Sequence, residues 1–296
     1  MSDAEHTRQK IVYHSLVSKH ATMMMDLEIA SSLGFDGIEL SVAKMRAFLA
    51  AGFCRDELKS QIGDIWIPGI GFLLDIERQG DDAERLLKEA EELFDLAAAV
   101  GAKGVQILTG PVDIQSVRNH ASHLPIQGYA GLLSYPRAEQ IKLSAKNLKV
   151  LADMAAGRGL VLYLEALGWA PVNTIADQCE LLDRADRDNL KMVVDFWHCY
   201  VSGDTPETVA RIDKDRIYGV HVCDSLPFLG GIPDERVLRD LPTGSGALDL
   251  REWCDAVKST GYVGWWSPEL FCRKQHQSNS FQMATELKSL LENLIR

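Results

Sequence analysis

The sequence predicts an α/β protein, a (β/α)8 TIM barrel in a single domain over 1–296, on three observations. Eight short β-rich runs alternate with segments of helical period. Several helical segments close on a glycine shortly before the next run, as a C-cap requires. The length, 296 residues, is that of eight such units. A doubly wound sheet is the main competitor, but no GxGxxG turn follows the first run.

The elements follow in order. "IVYHSL" (11–16), β-branched and aromatic, is the first strand, and "MMMDLEIASSLG" is a helix ending at Gly34. "DGIELS" (36–41) and "IWIPGIGFL" (65–73) are the second and third strands. "AERLLKEAEELFDLAAAVG" repeats its apolar residues at steps of three and four and stops at Gly101. "GVQILTG" (104–110) precedes the helix "RAEQIKLSAKNLKVLADMAAGRG", which reaches Gly159. "LVLYLEAL" (160–167), the helix "TIADQCELLDRA" and "LKMVVDF" (190–196) form the middle of the chain. "IYGVHVCD" (217–224), the helix "LREWCDAVKSTG" up to Gly261, "VGWWSPELF" (263–271) and the helix "FQMATELKSLLENLI" complete it. The opening "MSDAEHTRQK" reads as a polar leader, 1–10.

Composition restricts the function. With 46% hydrophobic residues the chain can fill one large core, and no linker or low-complexity tract divides it. A formal charge of -11 argues against nucleic acid and anionic lipid as partners. Six cysteines without a CxxC pair point to a reducing, cytoplasmic setting, and no apolar run is long enough to span a bilayer. The sequence admits a homo-oligomer.

In a barrel, alternate residues face the interior, and the last inward residue of each strand faces the C-terminal mouth where active sites lie. Alternation sends Val161, Tyr163 and Glu165 inward on the fifth strand, and Val193 and Asp195 on the sixth. It sends Gly219 and His221 inward on the seventh, and Trp265, Ser267 and Glu269 on the eighth. Taken singly, Asp195 or Glu165 reads as a helix N-cap or rim acid, His221 as a core histidine and Glu269 as a partner of Arg273. Together, three facing carboxylates would repel one another unless a cation sat among them. With one imidazole they suit a single divalent ion: Mn2+, Mg2+, Co2+ or Zn2+. His198 lies past the strand end and is expected to reach the substrate rather than the ion, or to serve as a loop hydrogen-bond partner. Trp169, Trp197 and Phe228 are candidate walls for a sugar or cyclitol ring. His120 and His123 read as polar-loop residues, Met23 to Met25 as a helix face, and Glu39 as a brace at the barrel mouth.

"LYLEALGW", "VVDFWHCY", "GVHVCDS", "LPTGSGALDL" and "WWSPELF" resemble, in order and spacing, the xylose-isomerase-like TIM-barrel superfamily of sugar isomerases and epimerases. The likeness runs over essentially the whole chain and is most specific from Leu160 onward. Within the superfamily the chain is most similar to inosose (2-keto-myo-inositol) isomerases, through Val172-Asn173-Thr174, Asp224 after His221, "DER" at 234–236 and "ELF" at 269–271. The resemblance implies that Glu165, Asp195, His221 and Glu269 bind one divalent metal, manganese among the candidates. It also implies that His198 helps bind or polarise the substrate carbonyl. Asp224 and Arg239 join Trp169 and Trp197 as expected substrate contacts. Ketose 3-epimerases of the superfamily carry a substrate-binding Glu and Arg where this chain has Pro171 and Pro227, which disfavours that activity.

The expected chemistry is isomerisation or epimerisation of a keto-sugar or an inosose-like keto-cyclitol, which would place the chain in carbohydrate metabolism and inositol catabolism. The ion polarises the ketone, Glu165 or Glu269 removes the neighbouring proton, and the enediolate on the metal is reprotonated, with His198 assisting. Expulsion of a β-substituent would instead give lyase or dehydratase chemistry on a 3-keto glycoside or a dehydroshikimate-like substrate. An endonuclease IV-like nuclease would need more histidines than the eight present, one of them His6, and a less acidic chain. A non-catalytic sugar-binding protein would not need the ligand set.

Overall fold

A computed structural model describes residues 8–296 and contains a closed barrel of eight parallel strands in sequential order. They are β1 (Lys10–His14), β2 (Gly37–Ser41), β3 (Ile70–Leu73), β4 (Gly104–Leu108), β5 (Val161–Glu165), β6 (Leu190–Asp195), β7 (Ile217–Val222) and β8 (Trp265–Pro268). Each overlaps an expected run: β1 begins one residue before its run, β2 and β3 end with theirs, and the other five end one to three residues earlier. β3 also starts later than expected, after Pro68, whose missing N–H cannot serve a ladder.

The expected helices form at Met23–Ser32, Asp81–Ala99, Arg137–Ala156, Ile175–Ala185, Leu250–Ser259 and Ser280–Ile295. Gly34, Gly101, Gly159 and Gly261 all adopt positive φ, as glycines just past helix ends do. The sequence reading did not anticipate the helices at Val42–Ala50, Arg55–Ile62, Ile114–Ala121 and Phe196–Ser202. His120 therefore lies on a helix, not in a polar loop. Residues 1–7 of the expected leader, with His6, fall outside the described residues. The leader reading fails at its other end: Lys10 begins β1, and Gln9 accepts the Trp266 indole N–H at 2.9 Å and donates to the Tyr262 carbonyl at 2.8 Å.

Inside the barrel, Val12, Tyr163, Val193 and Trp265 form a small apolar plug beneath the mouth, with Trp66 and Tyr218 packed against it. Gly219 makes room for this plug. A Cβ there would fall within the Trp265 ring, so only glycine lets β7 run beside β8 at this level. The plug closes the floor and leaves the polar strand ends above it facing one another.

Candidate active site

β6 pairs with β7 so that Asp195 lies opposite His221, and β4 pairs with β5 so that Leu108 lies opposite Glu165. This register sets the acids and the imidazole at one height. Donor atoms of Glu165, Asp195 and His221 lie within 4.8 Å of one another, and all three side chains are buried. His221 Nδ1 stands 3.3 Å from a Glu165 oxygen and 3.9 Å from an Asp195 oxygen, yet it makes no hydrogen bond. An orphaned ring nitrogen between two buried carboxylates is the environment a divalent ion fits.

The other ring nitrogen explains why Nδ1 is free. His221 Nε2 lies 3.1 Å from Glu39 Oε2, and Glu39 Oε1 accepts the Tyr163 hydroxyl at 2.9 Å. A carboxylate there holds a proton on Nε2, so that Nδ1 is the nitrogen a metal would take, and it is the one turned to the acids. Glu39 thus braces the mouth, as expected, and also fixes a tautomer, which the sequence did not reveal.

Glu165 is held from both sides. Gln106 Nε2 donates to Oε2 at 2.5 Å, and His198 Nε2 lies 3.0 Å from Oε1. His198 Nδ1 accepts the Gly168 N–H at 2.9 Å, so Nε2 carries the proton toward the acid. Burial opposes the charge on Glu165, but His198 and His221 outweigh it and hold the carboxyl well below the ordinary range. Burial raises Asp195 despite the nearby Arg239 and His198. Asp195 also caps the helix Phe196–Ser202 by accepting the His198 N–H at 2.7 Å, so the simple N-cap reading and the ligand reading describe the same carboxylate.

Glu269 departs from the expected four-ligand set. Its Oε2 accepts from Arg239 at 2.6 Å, and its Oε1 lies 3.9 Å from His14 Nε2, outside the three-residue cluster. Arg273 does not pair with it; that side chain bonds Asp240 instead. Against burial, Arg239 and His221 hold Glu269 below the ordinary carboxylate range. Arg239 also approaches Asp195 at 3.6 Å and lies over the Phe271 ring at 3.9 Å. His14, Glu39 and Gln106 are the residues that sequence reading did not place in the site. Each ends or interrupts an apolar strand on its inward face, which is the signal they carried.

Above the acids a cavity of about 560 Å³ opens at the barrel mouth, large enough for a sugar-sized molecule. Glu39, Glu165, His198, Arg239 and Glu269 line it, with Trp169 as one wall. Three other expected substrate contacts are not there. Trp197 is fully buried, edge-on to His198 and beside Arg239, and supports the site from behind. Phe228 packs against the core and donates its N–H to the Tyr200 hydroxyl. Asp224 is buried under the loop that follows it and accepts the backbone N–H groups of Gly244, Gly246 and Leu248 at 3.0, 2.7 and 3.2 Å. It organises the glycine-rich loop rather than the ligand.

Comparison with known proteins agrees with this architecture. The model of a family described as xylose isomerase-like TIM barrel matches residues 27–293. A 3-dehydroshikimate dehydratase of Pseudomonas aeruginosa is 29% identical over 86% of this chain and 37% of its own length. An inosose isomerase of Bacillus subtilis is 34% identical over 45% of this chain and 48% of its own. The chain therefore spans less than half the length of either curated relative. Among solved structures, an IolI protein with a bound zinc atom superposes with a TM-score of 0.82, at 21% identity, over 97% of this chain and 98% of that one.

Proposed function

The chain belongs to the xylose isomerase-like TIM barrel family, and from that premise we propose that it is a divalent-metal-dependent isomerase or epimerase of a keto-sugar or keto-cyclitol. One observation carries the reading: the orphaned His221 Nδ1 facing Glu165 and Asp195, beneath a cavity that three further carboxylates, Glu39, Glu235 and Glu269, line. Glu165, Asp195 and His221 would hold the ion, with Glu269 joining them by turning from Arg239; Mn2+ is the first candidate. When bound, the ion supplies Lewis acidity that polarises a ketone and acidifies the adjacent C–H.

The chain's own residues do the rest. Glu165, at the end of the fifth strand, and Glu269, just past the eighth, both line the mouth, and their cationic and hydrogen-bonding neighbours keep both ionised and able to accept a proton. One removes the proton beside the ketone and the other face returns it. The His198 Nε2 proton, directed at Glu165, is placed to hydrogen-bond the carbonyl oxygen as negative charge develops there. Trp169 and Phe271 exclude water from the reacting face. The six unpaired cysteines support a reducing, cytoplasmic setting. No helix among the described residues is long and apolar enough to cross a membrane.

A second reading, β-elimination to a dehydrated product, has its own support. Glu235 lines the same cavity, and burial raises its carboxyl above the ordinary range despite Arg239, so it can protonate a leaving hydroxyl. The experiment for both is solvent exchange. Protein loaded with Mn2+ is incubated in D2O with inososes, ketohexoses, 3-keto glycosides and 3-dehydroshikimate. Deuterium is expected next to the ketone of one of them, and Glu165→Gln and Glu269→Gln should each slow exchange by about 100-fold or more at saturating Mn2+. Exchange near the wild-type rate in both variants sinks the mechanism.

A further inference from the structure

We infer that the substrate carries a carboxylate on the side opposite its reacting ketone, and that Lys19 and Arg46 bind it. This rests on the proposed proton abstraction beside a ketone and, of the two readings, favours the second, with a ring-keto acid as substrate.

The acids of the cavity belong to its floor, where β2 contributes Glu39, and to the side near β8, while the segments that follow the first two strands bring only cations to its rim: Lys19 from the loop after β1, and Lys44 and Arg46 from the helix after β2. Their states differ. Lys44 is committed to the fold, since its ammonium bonds both oxygens of the buried Asp26, at 2.9 and 2.8 Å, and the Ser18 carbonyl at 2.8 Å. Lys19 and Arg46 are exposed, line the cavity and, among the described residues, make no ion pair. In a chain of charge -11, two uncommitted cations facing one cavity are an uneven distribution that favours an anion there.

The wall between the two ends points the same way. Leu16, Leu40, Phe72, Leu74, Leu108 and Val112 line it. A polyhydroxylated ring would leave hydroxyls unpaired against such a surface, whereas a ring with few hydroxyls and one carboxylate presents apolar carbon to it. The guanidinium of Arg46 matches a carboxylate bidentately, and Lys19 adds a point charge.

The test compares charged and neutral ligands on the metal-loaded chain. 3-Dehydroshikimate, its methyl ester and scyllo-inosose are assayed by deuterium exchange with wild-type protein, with the Lys19→Ala/Arg46→Ala double variant and with a distant control, Lys88→Ala. Calorimetry with shikimate, which has the carboxylate but no ketone, measures binding apart from any reaction. Exchange into the acid is expected to exceed that into its ester by tenfold or more in kcat/KM. The double variant should raise KM for the acid and weaken shikimate at least tenfold, while the control changes neither. Equal handling of acid and ester, or shikimate binding unchanged in the double variant, overturns the inference. If no compound exchanges deuterium but shikimate binds and depends on the two cations, the ketone chemistry fails and the carboxylate site stands. If neutral ketones alone exchange, the chemistry stands and the site falls.

Discussion

Glu39 shows how a single side chain sets the chemistry of another. With Tyr163 on one oxygen and His221 Nε2 on the other, it is buried, satisfied on both oxygens and unable to turn without losing a bond. Burial disfavours its charge, yet His221 outweighs that and lowers its pKa, so the pair behaves as carboxylate and ring proton. Without the carboxylate the imidazole is free to move its proton to Nδ1, the nitrogen that faces the acids. Glu39→Ala is therefore expected to weaken divalent-metal affinity about 10- to 100-fold. Competition with a chelator measures it, and nitrogen NMR of the His221 ring reads the tautomer directly. Tyr163→Phe, which removes only the support for Glu39, should have a smaller effect in the same direction. Unchanged affinity in Glu39→Ala would show that the His221 tautomer is set elsewhere.

At the scale of the strand, the period of two is what made the site legible. Once Asp195 is placed inward, the alternation fixes Val193, and pairing carries the same level to Gly219, His221 and Trp265 on the neighbouring strands. Glu165, Asp195 and His221 are where that rule puts them because a barrel strand has no other face to offer. His14, Glu39 and Gln106 obey the same rule, but His14 and Gln106 stand alone in their segments, and Glu39, read only as a brace, has for company just Asp36 at the entry of its strand, away from the mouth. Trp197 and Asp224 failed for a different reason. Both lie past strand ends, where the chain follows no period, and whether a side chain turns to the cavity or behind it depends on a helix or loop the local sequence does not specify. The level below the acids gives a strand-scale prediction. Gly219→Ala places a methyl against the Trp265 ring, and the plug has no free volume to absorb it. The expected loss is about 1–3 kcal/mol of stability, as for other overpacked cores. Urea denaturation checks it, and a loss under about 0.5 kcal/mol would mean that the Trp265 ring yields.

The whole molecule concentrates buried carboxylates at one end of its barrel. Glu39, Glu165, Asp195 and Glu269 converge there, and the groups that offset them are His221, Arg239 and the Nε2 proton of His198. In the metal-free chain His221 acts as a cation: burial lowers its pKa, but Glu39, Glu165 and Glu269 outweigh burial and raise it well above the ordinary range. Such a centre is costly to fold, because each charge loses its water and is repaid only by neighbours of imperfect geometry. A divalent ion carries more charge than an imidazolium and can meet several oxygens at once, so it should bind the folded barrel and not the unfolded chain. Binding of that kind adds about 2.7 kcal/mol of stability at a free metal concentration of 100 Kd. For a domain of this size the gain corresponds to a rise in melting temperature of roughly 4–5 °C. Scanning calorimetry with and without Mn2+ measures the rise. Asp195→Ala and His221→Ala should abolish it, because each removes one of the three converging donors. His198→Ala should preserve most of the rise while losing activity, since His198 holds Glu165 and faces the cavity without belonging to that cluster. A wild-type melting temperature that Mn2+, Co2+ and Zn2+ all leave unmoved would show that the acids are held by His221 and Arg239 alone. The centre would then be a structural ion-pair network rather than a metal site.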